Sequence, residues 1–199
     1  MAVHPPTCYN VRGTSGSGKS TMVREIMSAY KPSFQKIMRV GRKRPIRTIH
    51  QHVNGGRELA ILGHYEAACG GCDTINELDD VFELVRKELS NGRNVLFEGL
   101  ILSGEIIRTD ILVRESPTQI FCLTTPVDKC IAHVGDRREA RGADRLFNHK
   151  NTVAKARCVE LTMKRLEATF ALPEVAIQSE ARWGSYDDVH HQIRSLLDV

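Results

Sequence analysis

The sequence predicts a three-layer α/β/α fold with a mostly parallel central sheet, and two observations support this prediction. Short apolar runs of strand length alternate along the chain with stretches whose apolar residues recur at helical spacing. Such alternation favours parallel strands joined by helices that cover both faces of a sheet. The second observation is length: the 199 residues suffice for one domain with a substantial core, so we expect a single domain over residues 1–199.

For the first third of the chain, the sequence predicts a strand, a helix, a loop and a β-hairpin. Residues 7–12 predict a strand, residues 21–30 a helix and residues 33–45 a basic loop with weak periodicity. Residues 46–53 and 58–65 have the composition of strands and flank an Asn-Gly-Gly turn. This pattern predicts a β-hairpin insertion in the parallel fold.

The rest of the chain continues the alternation. We expect helices at residues 75–90, 103–111, 126–141, 148–170 and 187–197, and strands at residues 94–98, 119–123 and 173–177. Thr74 and Glu77 have the spacing of a capping box for the first of these helices. Thr125 is the expected N-cap of the third, with Pro126 at its first position.

Composition places the chain among ordinary globular proteins. Hydrophobic residues make up 41% of the sequence and charged residues 26%, with a net charge of +4. No apolar run reaches membrane-spanning length, and residues 1–6 lack the apolar core of a signal peptide. We therefore expect a cytoplasmic protein with no membrane partner. Most of its six cysteines are expected to be small core residues in a reducing compartment.

A glycine-rich loop between the first strand and the first helix matches the phosphate-binding pattern G-x-x-x-x-G-K-[ST], the P-loop. The predicted nucleotide-binding residues are Gly13, Thr14, Ser15, Gly16, Ser17, Gly18, Lys19, Ser20 and Thr21. Backbone N–H groups of such a loop point at phosphate oxygens, and the following helix presents its positive end to them. Lys19 can reach the β- and γ-phosphates, and the hydroxyl of Ser20 can coordinate Mg²⁺. The motif does not identify the acceptor of the phosphoryl group. Transfer to water would make the protein an NTPase, and transfer to a substrate group would make it a kinase.

Glu98 ends the buried strand expected at residues 94–98. Parallel sheets place their active sites at the carboxyl ends of the strands. An acid there can hold Mg²⁺ or its water, so Glu98 is a candidate metal ligand. The alternative is a structural carboxylate that accepts hydrogen bonds from loop amides.

Three arginines, Arg137, Arg138 and Arg141, lie where a helix is expected to end, in a segment at about residues 135–147 that we interpret as an arginine-rich lid. Guanidinium groups match phosphate oxygens and stabilise the charge of a transferring phosphoryl group, so at least one arginine is a candidate catalytic residue. The alternative is a solvated helix in which the arginines pair with neighbouring acidic residues.

A loop of small residues precedes the helix expected at residues 75–90. Asp73 in this loop can orient or deprotonate an acceptor hydroxyl, or it can help to cap the helix. His64 and Tyr65 at the edge of the loop can contact a base by stacking, or they can be packed residues.

Cys69 and Cys72 in the same loop have the C-x-x-C spacing. With His64, or with His50 and His52, they can form a zinc site, or they can form a redox pair. There is no second C-x-x-C, and the glycines between the cysteines suit a tight substrate loop. We therefore expect neither zinc nor redox chemistry.

The distribution of charge indicates a second functional segment, because no acidic residue lies between Glu25 and Glu58. The cations of this window are Lys31, Lys36, Arg39, Arg42, Lys43, Arg44, Arg47 and Arg57. A positive field suits a polyanion or a phosphorylated substrate, so Arg42, Lys43 and Arg44 are candidate substrate-binding residues in an acceptor-side segment at about residues 31–65. The alternative is a solvated loop without a partner.

The P-loop, residues 96–99 and the arginines at 137–141 resemble the P-loop kinases of the nucleoside and nucleotide kinase superfamily. The resemblance covers nearly the whole chain at fold level. It implies ATP and Mg²⁺, and transfer to a nucleotide-like acceptor. Residues 63–65 and 70–75 are similar to small phage-encoded kinases, some of which phosphorylate 5-hydroxymethyluracil within DNA. The chain departs from monophosphate kinases because it lacks their acceptor-phosphate motif after the first helix.

Three hypotheses for the function follow. The first is a kinase in the host cytoplasm that moves the γ-phosphoryl group of ATP to a hydroxymethyl group on a pyrimidine of phage DNA, a step of DNA hypermodification. Asp73 would then orient the acceptor, and Lys19 with the lid arginines would stabilise the transferring group. The second is a deoxynucleoside monophosphate kinase with the same donor machinery. The third is a DNA-stimulated ATPase or a nucleotide-binding regulator.

Overall fold

The computed structural model of the protein describes residues 4–66, 71–72, 75, 77–99, 105–143, 147–175 and 178–199. The strands in these ranges are β1 (Cys8–Arg12), β2 (Phe34–Ile37), β3 (Arg47–His50), β4 (Leu59–Leu62), β5 (Asn94–Glu98), β6 (Thr118–Leu123) and β7 (Glu180–Gly184). The helices are α1 (Lys19–Ser28), α2 (Leu78–Ser90), α3 (Glu105–Glu115), α4 (Val127–Glu139), α5 (Lys150–Phe170) and α6 (Tyr186–Leu197). Within these ranges, none of the helices combines the length and the apolar character that a membrane span requires.

The strands form one sheet in the order β2-β3-β4-β5-β1-β6-β7. Strands β4, β5, β1, β6 and β7 run parallel to one another, which confirms the mostly parallel sheet. The predicted hairpin is also confirmed, because β3 and β4 are antiparallel, with Arg47 opposite Leu62 and His50 opposite Leu59. The parallel strands all end at one edge of the sheet, which we call the carboxyl edge. The P-loop leaves β1 at this edge, next to the end of β5.

Helices cover both faces of the sheet, which confirms the three-layer architecture. Side chains of a strand alternate between faces. Tyr9 and Val11 of β1 therefore pack in a cluster with α1 and α6, whereas Cys8 packs in a cluster with α2 and α3. Ile120 of β6, on the same face as Cys8, packs against α5.

A buried ion pair fixes the end of β1 where the P-loop begins. The guanidinium of Arg12 pairs with the carboxylate of Glu105 in α3, and both residues are almost completely buried. Arg12 Nε also donates to Asn10 Oδ1 at 2.5 Å, and Nη2 donates to Thr109 Oγ1 at 3.3 Å. Because a buried charge requires such partners, this cluster ties β1 to α3 in a defined position.

Two edge strands differ from the sequence prediction. Residues 33–45 were predicted as a loop, and this is wrong because Phe34–Ile37 form β2. The last strand was predicted at residues 173–177, but residues 171–175 are turns and the strand is β7, at Glu180–Gly184. Both strands lie at the ends of the sheet, where one face or one side remains open. Their positions follow from pairing with β3 and β6, which their mixed composition does not reveal.

Two helix starts also differ from the prediction. Helix α2 begins at Leu78 with Glu77 as its N-cap, so the predicted start at residue 75 and the capping box are wrong; Thr74 lies outside the described residues. Helix α4 begins at Val127 with Pro126 as its N-cap. The hydroxyl of Thr125, the predicted N-cap, donates instead to the carbonyl oxygen of Ser17 in the P-loop.

Candidate active site

The P-loop connects β1 to α1 in a tight curl. Gly16 has φ +87°, and a Cβ atom there would lie 2.2 Å from the carbonyl oxygen of Cys130, so this position requires glycine. The N–H of Ser17 donates to the carbonyl oxygen of Thr14 at 3.2 Å, which closes the turn. Lys19 Nζ donates to the carbonyl oxygens of Gly13 and Thr14, both at 2.9 Å. The ammonium group therefore lies directly beside the loop.

Helices α4 and α5 hold the P-loop from outside. His133 Nδ1 donates to the carbonyl oxygen of Gly16 at 2.9 Å, and Thr125 Oγ1 donates to that of Ser17 at 2.9 Å. The hydroxyl of Thr14 donates to a carbonyl of α5 at 3.2 Å. The sequence analysis missed His133, because a single histidine on a helix matches no motif. Its spacing of one helical turn before Arg137 was the only available signal.

Ser20 and Glu98 meet at the carboxyl edge. Ser20 Oγ donates to Glu98 Oε1 at 2.5 Å, and Glu98 is almost completely buried. Gly71 packs directly on this carboxylate, because a Cβ atom at Gly71 would lie 2.8 Å from Glu98 Oε1. A hydroxyl and a carboxylate are the hard oxygen donors that suit Mg²⁺, which commonly takes one or two protein ligands and completes its shell with phosphate and water. The pair therefore fits the predicted metal site.

These groups line a cleft of about 670 Å³. Its lining consists of residues 15–21, Arg24, Cys72, Glu98, Gly99, Thr125, His133, Arg137 and Tyr186. The structure thus brings together the P-loop, the predicted metal ligands and one predicted lid arginine. A cleft of this size is typical of small-ligand sites.

The three predicted lid arginines have different surroundings. Arg137 is half-buried and lines the cleft. The guanidinium of Arg138 lies over the ring of Phe147, 5.8 Å from its centroid. Arg141 is exposed in the turn after α4, where its N–H donates to the carbonyl oxygen of Arg138. Of the three, Arg137 is therefore the best placed to contact a phosphate.

Tyr186 is a further cleft residue that the sequence analysis missed. Its ring packs against Gly18, where a Cβ atom would lie 3.0 Å from two ring carbons. Its hydroxyl donates to Glu25 Oε2 at 2.7 Å. Burial, and then this hydrogen bond, raises the pKa of Tyr186 well above its ordinary value, so the hydroxyl stays protonated and keeps donating. The ring arrives from the start of α6, which no local pattern connects to the P-loop.

The predicted base-contacting residues lie at the end of β4. The ring of Tyr65 is buried in the core, as expected for the alternative of a packed residue. The carbonyl oxygen of Tyr65 accepts a hydrogen bond from Arg24 Nε at 3.0 Å, which positions a cleft residue that the sequence analysis also missed. His64 is buried too, and its carbonyl oxygen accepts a hydrogen bond from the N–H of Gly71 at 3.0 Å.

The other residues of the predicted acceptor loop are described only in part. Asp73 and Cys69 lie outside the described residues. Cys72 is buried beside the cleft. Of the predicted zinc partners, His50 stacks on Phe34, and burial lowers its pKa to about 4. A second one, His52, has its Nε2 atom 2.9 Å from the carbonyl oxygen of Asp198. In the part of the chain that the structure describes, no three His, Cys, Asp or Glu residues form a metal-binding group.

Six of the eight cations of the basic window fall into two sets. Some stabilise the fold: Lys36 pairs with Glu66, Arg39 with Asp80, and Arg47 with the buried Glu88 at 2.7 Å. Arg47 is itself buried, so it does not form part of a binding surface.

The second set is Arg42, Lys43 and Arg44, in the connection between β2 and β3. Lys43 and Arg44 are exposed and form no ion pair with any described residue, and Arg42 is half-buried beside them. This set carries the positive surface of the window.

A parallel sheet that places a P-loop beside a buried acid, with an arginine across the cleft, has the arrangement of a P-loop kinase. No protein-family model matches the chain. A protein named 5-hmdU DNA kinase, from Pseudomonas phage PaMx11, is 39% identical to it over 192 residues, which are 96% of this chain and 96% of that protein. The chain therefore belongs to the family of 5-hmdU DNA kinases, and it is an ATP-dependent kinase. This confirms the resemblance to phage kinases that the sequence indicated.

Proposed function

We propose that this kinase phosphorylates the hydroxymethyl group of 5-hydroxymethyluracil in DNA. The observation that carries the proposal is the single cleft that contains the P-loop, the Ser20–Glu98 pair and Arg137. The acceptor follows from the relative, which is named as a kinase of 5-hmdU DNA. The exposed cations Lys43 and Arg44, with the half-buried Arg42 beside them, support a polymeric acceptor, because positive surface away from the reacting phosphate favours binding of a polyanion.

The reaction transfers one phosphoryl group. The acceptor hydroxyl gives its proton to a base, for which Asp73 is the predicted residue, and its oxygen forms a bond to the γ-phosphorus, while the bond from that phosphorus to the β,γ-bridging oxygen breaks and ADP leaves. The amides of residues 13–20 and Lys19 would hold the phosphates, and Arg137 would stabilise the charge of the transferring group. Ser20 and Glu98 would hold Mg²⁺, which would supply positive charge to the phosphates. Asp73 stays the predicted residue that orients the hydroxyl.

The direct test follows the label from γ-labelled ATP. Three acceptors are offered in parallel: DNA that contains 5-hydroxymethyluracil, free deoxynucleoside monophosphates, and unmodified DNA. Label in the modified DNA and in neither other acceptor is the expected result. Label in a nucleoside diphosphate would show a monophosphate kinase. Release of free phosphate alone, at a rate that unmodified DNA increases, would show a DNA-stimulated ATPase.

Replacement of Arg137 is expected to be the most damaging change among the lid arginines. Because Arg137 is the one of the three that lines the cleft, Arg137→Ala should lower kcat by about a hundredfold, the lower end of what the loss of one pre-organised donor to a developing charge costs. Arg138→Ala and Arg141→Ala should each lower kcat by no more than about tenfold. The measurement is kcat and KM for ATP, with exposed Arg157→Ala on α5 as the control. A larger loss from Arg141→Ala would contradict the assignment.

Charge reversal in the connection between β2 and β3 is expected to weaken DNA binding and its dependence on salt. Each phosphate contact that is lost reduces the slope of log K against log salt concentration by about 0.7 to 0.9. Lys43→Glu with Arg44→Glu should therefore flatten the slope by more than one unit. Lys31→Glu with Lys87→Glu is the matched control, because it changes net charge equally at two exposed sites on helix ends. Equal slopes for both double variants would argue against this surface.

A further inference from the structure

The connection between β2 and β3, residues 38–46, which we call the basic loop, projects from the carboxyl edge of the sheet. Ile37 at the end of β2 lies opposite Arg47, and Arg47 lies opposite Leu62 at the end of β4. Strand β4 is parallel to β5, which ends at Glu98. The base of the loop is fixed there, because the N–H of Gly63 donates to the carbonyl oxygen of Ile46 at 2.8 Å. The basic loop and the cleft therefore open at the same edge.

The basic loop lies on one side of the cleft, at a distance that suits a nucleic acid. Strand β2 is three strands from β5 and four from β1. At about 4.8 Å per strand, its root is about 14 Å from the end of β5 and about 19 Å from the start of the P-loop. Two ion pairs hold it, Lys36 with Glu66 and Arg39 with Asp80 at the start of α2. In the sequence, Glu66 precedes and Asp80 follows the loop that the sequence analysis assigns to the acceptor.

The tip of the basic loop presents apolar side chains to solvent. The N–H of Arg42 donates to the carbonyl oxygen of Arg39 at 3.0 Å, and Gly41 has φ +79°, as the third position of a type II turn requires. Val40, at the second position, is completely exposed, and Met38 is half-exposed. A turn with a hydrogen bond and an ion pair at Arg39 thus holds an apolar side chain outward among cations.

This combination of chemistry matches one class of partner. Cations at 42–44 suit phosphates, and an exposed aliphatic side chain between them suits the apolar faces of stacked bases. A cleft of about 670 Å³ accommodates a nucleotide tail and one nucleoside but no duplex. Glu98 is 4% exposed, so the metal-binding end of the cleft is deep. A base that leaves the stack can enter this cleft, whereas the cleft cannot enclose a base that remains stacked in a duplex.

We propose that the basic loop is a DNA wedge, in which Val40 enters the base stack beside the target nucleotide while Arg42, Lys43 and Arg44 hold the flanking phosphates. This proposal rests on the proposed function. Extrusion of a base costs stacking and pairing free energy, which contacts of an inserted apolar side chain offset. Met38, on the same loop, supports the inserted residue with a second apolar surface. The wedge matters for duplex DNA and is dispensable where the target base is already unstacked.

The first test compares duplex and single-stranded substrates that carry the same 5-hydroxymethyluracil. Val40→Ser removes the apolar contact from an exposed position, so folding is not at stake. We expect kcat/KM to fall at least tenfold on the duplex and to change less than twofold on the single strand. Val53→Ser is the matched control: Val53 is also exposed, and it lies on the turn between β3 and β4 at the opposite edge of the sheet. It should leave both substrates unaffected.

The second test detects extrusion without transfer. The probe is duplex DNA with 2-aminopurine next to the target base, mixed with protein and a non-transferable ATP analogue. The wild type and Val53→Ser should raise the fluorescence on binding, and Val40→Ser should not, because the neighbouring stack stays closed. Equal rises for all three proteins would overturn the wedge.

The outcomes of the first test separate the wedge from the function. The wedge would also be overturned if Val40→Ser lowered kcat/KM equally on both substrates, or on neither. It would likewise be overturned if the wild type labelled only the single strand. A wild type that labels neither 5-hydroxymethyluracil substrate would reject the proposed function instead, and the fluorescence experiment would still report on the wedge.

Discussion

Lys19→Ala is expected to lower the rate of phosphoryl transfer at saturating ATP at least a thousandfold, which corresponds to about 4 kcal/mol of transition-state stabilisation. Lys19 begins α1, and its ammonium group lies 2.9 Å from the carbonyl oxygens of Gly13 and Thr14. A cation fixed there can follow the β- and γ-phosphates as charge moves to the bridging oxygen. Alanine keeps the helix and removes this charge, and no other lysine of the described chain lines the cleft. Single-turnover transfer from labelled ATP gives the rate.

The matched control for Lys19 is Lys31→Ala, because Lys31 is exposed just beyond the other end of the same helix. This change should leave transfer within twofold of the wild type. Thermal unfolding of Lys19→Ala should remain close to that of the wild type, since the hydrogen bonds lost are to loop carbonyls at the surface of the cleft. A variant at Lys19 that retains a tenth of the wild-type rate would contradict the catalytic role of this residue.

The sequence reveals the P-loop because that motif is contiguous. Each of its residues acts through the local backbone, so the pattern, a strand before it and a helix after it are sufficient to predict its structure. Glu98 is predictable for a related reason, because its strand is apolar and the parallel sheet brings strand ends together. His133, Arg24 and Tyr186 reach the same cleft from three helices, and their approach depends on how those helices pack. No spacing in the sequence encodes that packing.

The ion pairs of the basic window also could not be predicted from the sequence. The sequence presents an uninterrupted positive segment, because the acidic partners of Lys36, Arg39 and Arg47 are remote in the chain. Folding places Glu66, Asp80 and Glu88 beside them, and the neighbouring sequence does not identify these partners. The exposed cations Lys43 and Arg44 of the basic loop lie next to an exposed apolar side chain. The predicted surface for a polyanion is therefore smaller than the sequence indicated, and it combines cations with an apolar side chain.

Glu98→Gln is expected to lower transfer at least a hundredfold at a fixed low Mg²⁺ concentration, about 2.7 kcal/mol, and to raise the Mg²⁺ concentration for half-maximal activity at least tenfold. Glutamine keeps the size of the side chain and an oxygen that can accept the hydrogen bond from Ser20, so the packing of Gly71 is preserved. It loses the negative charge that binds a divalent cation. Binding of a fluorescent ATP analogue without Mg²⁺ should not change. Exposed Glu83→Gln on α2 is the control.

A structural carboxylate would behave differently, and a double-mutant cycle with Ser20→Ala separates the two roles. If Ser20 and Glu98 hold the same ion, the loss of either ligand removes much of what the other contributes, so the double variant should be far more active than the product of the single losses predicts. If Glu98 only anchors loop amides, its loss should lower the unfolding temperature while the half-maximal Mg²⁺ concentration stays at the wild-type value. Additive losses in transfer, with unchanged Mg²⁺ dependence, would therefore remove Glu98 from the metal site and leave Ser20 as its remaining predicted ligand.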